Sequence, residues 1–209
     1  MPPEVLGASH LRSLALRNNA LTRVPQGLER LTRLEELDLS DNRLTELPAW
    51  LFALPNLKVL RIDANRLKAI PPLVAKLTRL EQLHASENRL TTLPPEIGAL
   101  KELRILHVIT NAMRRLPAEL GDLRRLEILN LEGNQLMSVP KELSRLGALR
   151  CLDLANNRLR STPPEFARLT RLRYLGLQNN RLIAYPSWIR RLPRLVAFSI
   201  KGNPCAHLP

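Results

Sequence analysis

The sequence has few cysteines, few aromatic residues and no long apolar run. Two cysteines cannot build a disulfide framework, so we expect a reducing, cytoplasmic compartment, with a secreted bacterial effector as the alternative. Aromatic residues make up 3% of the chain, which disfavours a single-strand nucleic-acid binder, because such proteins stack bases on aromatic rings. Apolar runs of about 18 residues and a signal peptide are both missing, so we expect no membrane span.

Acidic residues are scarce relative to basic ones. The chain carries 19 Asp and Glu against 32 Lys and Arg, a formal net charge of +13. Such an excess attracts acidic partners, so its location on the fold bears on function. Arginine greatly outnumbers lysine, which favours a GC-rich, bacterial coding sequence.

Two residue types recur with a period of 23. Asparagine occurs at every such step from Asn19 to Asn203, and proline does so from Pro25 to Pro209. The unit is clearest at 34–56, "LEELDLSDNRLTELPAWLFALPN", where leucines first alternate with period two and then recur every three residues. This pattern predicts a short strand, a turn at the asparagine and a short helical return, with neighbouring units burying each other's leucines.

The unit resembles the leucine-rich repeat family over essentially the whole chain. The resemblance implies an α/β solenoid shaped as an arc, with a parallel β-sheet on the concave face and short helical, 3₁₀ or extended segments on the convex face. We expect a single domain over 1–209, in which 1–10 is the tail of a partial repeat, 11–194 holds eight full repeats and 195–209 is an incomplete one. The strands should be centred between the paired leucines, at Asp38, Arg61 and His84 for example, and the uncapped ends allow self-association.

Five positions of each repeat should face solvent on the concave side. Counted from the first leucine, so that Leu34 is position 1 and the asparagine is position 9, these are positions 2, 3, 5, 7 and 8. They hold eight basic and ten acidic residues. The positive excess is therefore expected on the turns, the convex side and the ends.

An apolar strip interrupts this polar face at the fifth repeat, "LHVITNAM". Ile109 is the only large apolar side chain at position 7, and position 3 becomes apolar from Ile105 onward. An apolar centre with a polar border is typical of protein interfaces, although such residues can also simply stabilise cross-strand packing. The predicted partner-binding residues are Arg61, His84, Ile105, His107, Ile109, Ile128, Asn130, Cys151 and Tyr174.

The adjacent His84 and His107 invite a catalytic or metal-site interpretation. In-register strands place such side chains about 5 Å apart, and Asp63 or Glu87 could add a carboxylate. A third imidazole is missing, however, and Cys151 has no general base in register, so a recognition role is favoured. We expect no catalytic residue, metal or cofactor.

Similar repeats of the Ras-group proteins of animals and plants, and of bacterial proteins, hold protein partners, small GTPases among them, on the concave face. By that resemblance we predict a non-catalytic protein-binding scaffold whose partner is a signalling protein or small GTPase. One alternative is the recognition part of a larger enzyme, such as a kinase or ubiquitin ligase. Another is binding of an anionic surface through the basic convex side. Nucleic acid is disfavoured.

Overall fold

The computed structural model describes residues 8–207, in which a three-residue strand alternates nine times with a 3₁₀ segment. Residues 1–7 of the predicted partial repeat, and Leu208 and Pro209, lie outside the described residues. The strands are β1 Ser13–Ala15, β2 Glu36–Asp38, β3 Val59–Arg61, β4 Gln82–His84, β5 Ile105–His107, β6 Ile128–Asn130, β7 Cys151–Asp153, β8 Tyr174–Gly176 and β9 Ala197–Ser199. The 3₁₀ segments are η1 Leu28–Arg30, η2 Ala49–Ala53, η3 Pro72–Lys76, η4 Pro95–Ala99, η5 Ala118–Asp122, η6 Lys141–Arg145, η7 Pro164–Arg168, η8 Ser187–Arg191 and η9 Pro204–His207.

The strands form one parallel sheet in chain order, β1 to β9. Each residue pairs with the residue 23 positions later, so Leu37 lies beside Leu60 and Leu60 beside Leu83. The predicted solenoid is confirmed, with the sheet on its concave face and the 3₁₀ segments on its convex face. No described segment is a helix long and apolar enough to cross a membrane.

The strand centres differ by one residue from the prediction. They fall on Leu37, Leu60 and Leu83 instead of Asp38, Arg61 and His84, because the chain turns soon after position 5. At position 8 the backbone is left-handed, with φ of 54° at Asp41, so only three residues keep regular strand pairing. Hydrogen bonds between repeats nevertheless continue into the turn, where the Asp41 N–H donates to the Asp63 carbonyl over 3.0 Å.

The leucines of every repeat meet in one continuous core. Within "LHVITNAM", Leu106, Val108 and Met113 are fully buried, and Met113 takes the place of the usual leucine at position 11. Burying a side chain of this size contributes about 1.5 to 3 kcal/mol. Inside the core the irregular segment therefore only exchanges one apolar side chain for another, and its changes of chemical character lie at positions that face away from the core.

The asparagine of each turn joins two repeats. The Asn157 amide nitrogen donates to the carbonyls of Leu131, Leu154 and Ala155 over 3.0 to 3.1 Å, and its oxygen accepts the Leu136 N–H over 3.0 Å. The Leu131 and Leu154 carbonyls and the Leu136 N–H are buried and have no backbone partner, so the amide satisfies the groups that the turn leaves unpaired. A ladder of asparagines results, with equivalent bonds at Asn42, Asn65, Asn88, Asn111, Asn134 and Asn180.

Replacing Asn157 with alanine should therefore destabilise the fold strongly. We expect Asn157→Ala to lower the free energy of unfolding by about 2 to 4 kcal/mol, because it leaves buried carbonyls and one N–H without a hydrogen-bond partner. Arg158→Ala, at the exposed neighbouring residue, is the matched control and should stay within about 0.5 kcal/mol of wild type. Urea denaturation measures both, and equal losses would contradict the assigned role of the amide.

Candidate protein-binding face on the concave sheet

The nine predicted partner-binding residues lie together on adjacent strands. One row, at position 5, is Arg61, His84, His107 and Asn130 on β3 to β6. A second row, at position 3, is Ile105, Ile128, Cys151 and Tyr174 on β5 to β8. Ile109 lies two residues beyond the end of β5, and all nine residues are partly exposed. The structure thus assembles one surface from them, while its binding activity stays a prediction.

The centre of this surface is a pair of histidine rings in contact. His84 and His107 meet edge to face, with 4.9 Å between ring centroids and 84° between planes. Burial, followed by the neighbouring His107, lowers the pKa of His84, and burial also lowers the pKa of His107. Both rings are therefore neutral at neutral pH, which makes them suitable for contact with an apolar or hydrogen-bonding partner.

The Asp63 carboxylate, which acts on both histidines, is already hydrogen-bonded to the backbone. Asp63 opposes the lowering of both histidine pKa values, but its Oδ1 accepts the Ser86 N–H over 2.7 Å. Across the described residues, no three His, Cys, Asp or Glu side chains are placed to share a metal ion. The site thus contains two neutral imidazole rings beside a carboxylate that is already hydrogen-bonded within the protein.

Tyr174 closes the apolar row on the β8 side. Its hydroxyl donates to Asp153 Oδ2 over 3.3 Å. This bond passes over Gly176, and a Cβ atom at that position would collide with the Asp153 carboxylate. Burial, and then Asp153, raises the pKa of the Cys151 thiol. A protonated thiol is a poor nucleophile, which favours a packing or contact role for Cys151.

Position 2 borders the face with charges that alternate along the sheet. Glu35 pairs with Arg12 over 2.9 Å and with Lys58 over 2.7 Å, and the hydrogen bond from Lys58 is the main cause of the lowered pKa of Glu35. Glu127 likewise lies 3.5 Å from Arg104 and 3.3 Å from Arg150. This border is therefore largely neutralised by its own neighbours.

Arg61 is also paired within the protein. Its Nη2 lies 3.3 Å from Glu36 Oε1, whereas its Nη1 is buried without a hydrogen-bond partner. The guanidinium is thus held beside the histidine pair, where it contributes to the lowered pKa of His84.

Thr110 has a strained backbone conformation at the edge of the apolar centre. Position 8 has positive φ throughout the repeats, and Asn, Asp or Gly occupies it in six of them, whereas Thr110 is β-branched at φ 50°. A left-handed conformation costs such a residue about 1 to 2 kcal/mol. Sequence reasoning missed this feature, although the Asn, Asp and Gly residues in the column could have indicated it.

The most exposed apolar side chains are not those of the predicted strip. They are Met137 at 63%, Ile183 at 69%, Tyr185 at 47% and Val196 at 85% relative exposure. Met137 and Ile183 both occupy position 12, where six of the other seven repeats carry threonine, lysine or arginine and the last carries Ala206. Comparing that column between repeats would have identified both residues.

Much of the positive charge lies on one edge of the solenoid. Positions 10, 12 and 13, just past the asparagine turn, carry ten basic residues, all exposed, and the single acidic residue Glu46. The positive excess was expected on the turns, the convex side and the ends, and these ten residues place much of it on the turn edge. We call the following residues the basic rim: Arg23, Arg43, Arg66, Lys68, Arg89, Arg114, Arg115, Arg158, Arg160 and Arg181.

Three family models match the chain in sequence. A leucine-rich repeat region matches residues 4–115, and two further leucine-rich repeat models match 125–146 and 147–205. A comparison with curated proteins found no match.

Solved structures share the architecture. A leucine-rich-repeat protein of Leptospira interrogans is 27% identical with a TM-score of 0.71, over 100% of this chain and 65% of that one. An internalin of Listeria monocytogenes is 23% identical with a TM-score of 0.72, over 97% and 64%. A TDR receptor is 26% identical with a TM-score of 0.83, over 97% and 41%. The chain spans less than two thirds of the length of each of these structures.

The histidine pair should make stability fall on acidification. Because folding lowers both pKa values below the unfolded value of about 6.5, the unfolded state binds more protons as the pH drops through that value, and the free energy of unfolding decreases. Urea denaturation at about pH 7.5 and about pH 5.5 should show a smaller decrease in His84→Gln/His107→Gln than in wild type. His10→Gln, at an exposed histidine outside the sheet, is the control and should keep the wild-type decrease.

Relieving the strain at Thr110 should stabilise the protein. We expect Thr110→Asn to raise the free energy of unfolding by about 1 kcal/mol, because asparagine tolerates the left-handed conformation. The control Thr91→Asn, at an exposed threonine outside position 8, should not stabilise. Chemical denaturation compares the two, and a destabilised Thr110→Asn would mean that the threonine side chain contributes more than its backbone strain costs.

Proposed function

Because the chain belongs to the leucine-rich repeat family, we propose that it is a non-catalytic interaction module that binds a protein partner on its concave sheet. Such repeats generally bind proteins. The observation that carries the choice of face is the cluster around β5 and β6, where Ile105, Ile109 and Ile128 adjoin the paired rings of His84 and His107.

The partner should bring an apolar group to the centre of this surface. Ile105 and Ile128 are paired in register, so their side chains lie about 5 Å apart and form one apolar spot beside neutral imidazoles. Desolvating these groups costs little, whereas the charged border at position 2 would have to break its own ion pairs. Binding energy should therefore concentrate at β5 and β6.

A basic group of the partner should approach from the turn side. Asp38, Asp41, Asp63 and Glu87 lie together around a concave hollow of about 210 Å³, in which Arg17 and Arg61 are the basic residues. Arg17 is already bonded to Asp41 over 2.7 Å, and Arg61 to Glu36. An apolar side chain with a nearby Lys or Arg is thus the partner chemistry that fits this face.

The strained Thr110 supports the same location. Strain of this kind persists where surrounding structure imposes it, and it clusters at functional sites. Thr110 directly follows Ile109, so the residue for which this shared left-handed conformation is costly stands beside the one large apolar side chain of position 7.

Ile109→Asp should abolish partner binding without unfolding the protein. The change places a charge at the centre of the desolvated contact, and central residues typically contribute about 2 kcal/mol or more, a loss of roughly 30-fold or greater in affinity. The side chain is outside the core, so the melting temperature should change little. Quantitative pull-down from the source cell identifies the partner, and calorimetry with the purified partner measures the loss.

Two matched variants locate the contact. Val196→Asp makes the same kind of change at a more exposed residue beside β9, and Arg171→Glu reverses a charge on the convex side. Both should bind the partner normally. Normal binding by Ile109→Asp together with loss in either control would refute the proposed face.

A further inference from the structure

The cations of the basic rim are unpaired. Eight salt bridges occur among the described residues, and none of them involves a residue of the basic rim; examples are Arg104 with Glu127 and Arg145 with Asp122. None of the ten rim residues forms a salt bridge or a side-chain hydrogen bond within that part of the chain. Their charges are therefore available to an external anion.

Exposed apolar side chains interrupt the same edge. Along position 12, four consecutive repeats present Arg114, Met137, Arg160 and Ile183. Neighbouring repeats are joined at this edge by backbone bonds, as where the Ile183 N–H donates to the Arg160 carbonyl over 3.3 Å. Strands of one sheet are spaced about 4.8 Å apart, so cationic and apolar side chains alternate at roughly that interval.

We propose that the basic rim binds the surface of an anionic phospholipid membrane. The arginines would contact lipid phosphates, while Met137 and Ile183 would enter the boundary between headgroups and acyl chains. Each Lys or Arg near an anionic bilayer contributes favourably, and exposed apolar side chains add affinity that salt does not screen. Tyr185, which is exposed two residues beyond Ile183, belongs to a residue type that favours this interface.

The alternation of side chains favours a membrane over other polyanions. A nucleic acid binds to cations and gains affinity when its bases stack on aromatic rings, but a protruding methionine and isoleucine add nothing to that binding. A folded acidic protein would cover a compact patch, whereas the rim is a row that extends over eight repeats. A row of this kind can contact a plane along its whole length.

Vesicle sedimentation tests the electrostatic part. The wild-type chain should bind vesicles of phosphatidylcholine mixed with phosphatidylglycerol, and bind phosphatidylcholine alone far more weakly. Arg43→Gln/Arg66→Gln/Arg89→Gln should reduce the partition coefficient on the order of 100-fold. Arg33→Gln/Arg171→Gln/Arg194→Gln removes the same charge from exposed convex arginines, and it should retain most of the binding.

Apolar variants test the insertion. Met137→Ser/Ile183→Ser should lose the binding that remains at high salt, whereas Val196→Ser, at an exposed valine off the rim, should not. Thermal melting checks that each variant is folded. Equal binding to both vesicle types, or equal loss in the two arginine triples, would overturn the proposal. Tighter binding to single-stranded DNA or poly-glutamate, unaffected by Met137→Ser/Ile183→Ser, would assign the rim to that polyanion instead.

Discussion

One side-chain amide per repeat holds this solenoid together. The asparagine at position 9 supplies hydrogen bonds to carbonyls of its own repeat and of the preceding one, and it accepts an N–H from the preceding turn, as Asn157 does for Leu131, Leu154 and Leu136. Without it, every turn would bury unsatisfied backbone groups. Because the bonds run from repeat to repeat, they impose one spacing on the chain, and that spacing brings equivalent residues into rows.

Because equivalent residues form rows, each surface of the solenoid can carry its own kind of side chain. Leucines and the asparagine are fixed at their positions by burial, whereas most side chains at positions 3, 5 and 7 are partly exposed and can change without cost to the core, with Ser40, Asp153 and Ala155 as buried exceptions. The fifth repeat uses this freedom, since Leu106, Val108 and Met113 remain in the core while His107 and Ile109 modify the sheet. A local departure from the repeat can therefore specify a contact and leave the fold intact.

The concave sheet and the basic rim differ in how their charges are treated. On the sheet, Glu35 and Glu127 each neutralise two cations, so little free charge surrounds the isoleucines and histidines. On the rim, the cations have no such partners within residues 8–207. Because the two surfaces lie on different sides of the turn, a chain could hold a protein on one and an anionic surface with the other, which would place that protein at the membrane.

The sequence by itself determined the repeat, the parallel register, the leucine core and the row membership of all nine predicted contact residues, because a strict period of 23 leaves one way to stack the units. It predicted the strand centres one residue too late, since strand length depends on where the turn begins. Only the tertiary structure decided that Tyr174 bonds Asp153 across Gly176, and that the arginines beside Met137 and Ile183 have no salt-bridge partner among the described residues. Those features depend on side-chain directions and on contacts between repeats, and periodicity specifies neither.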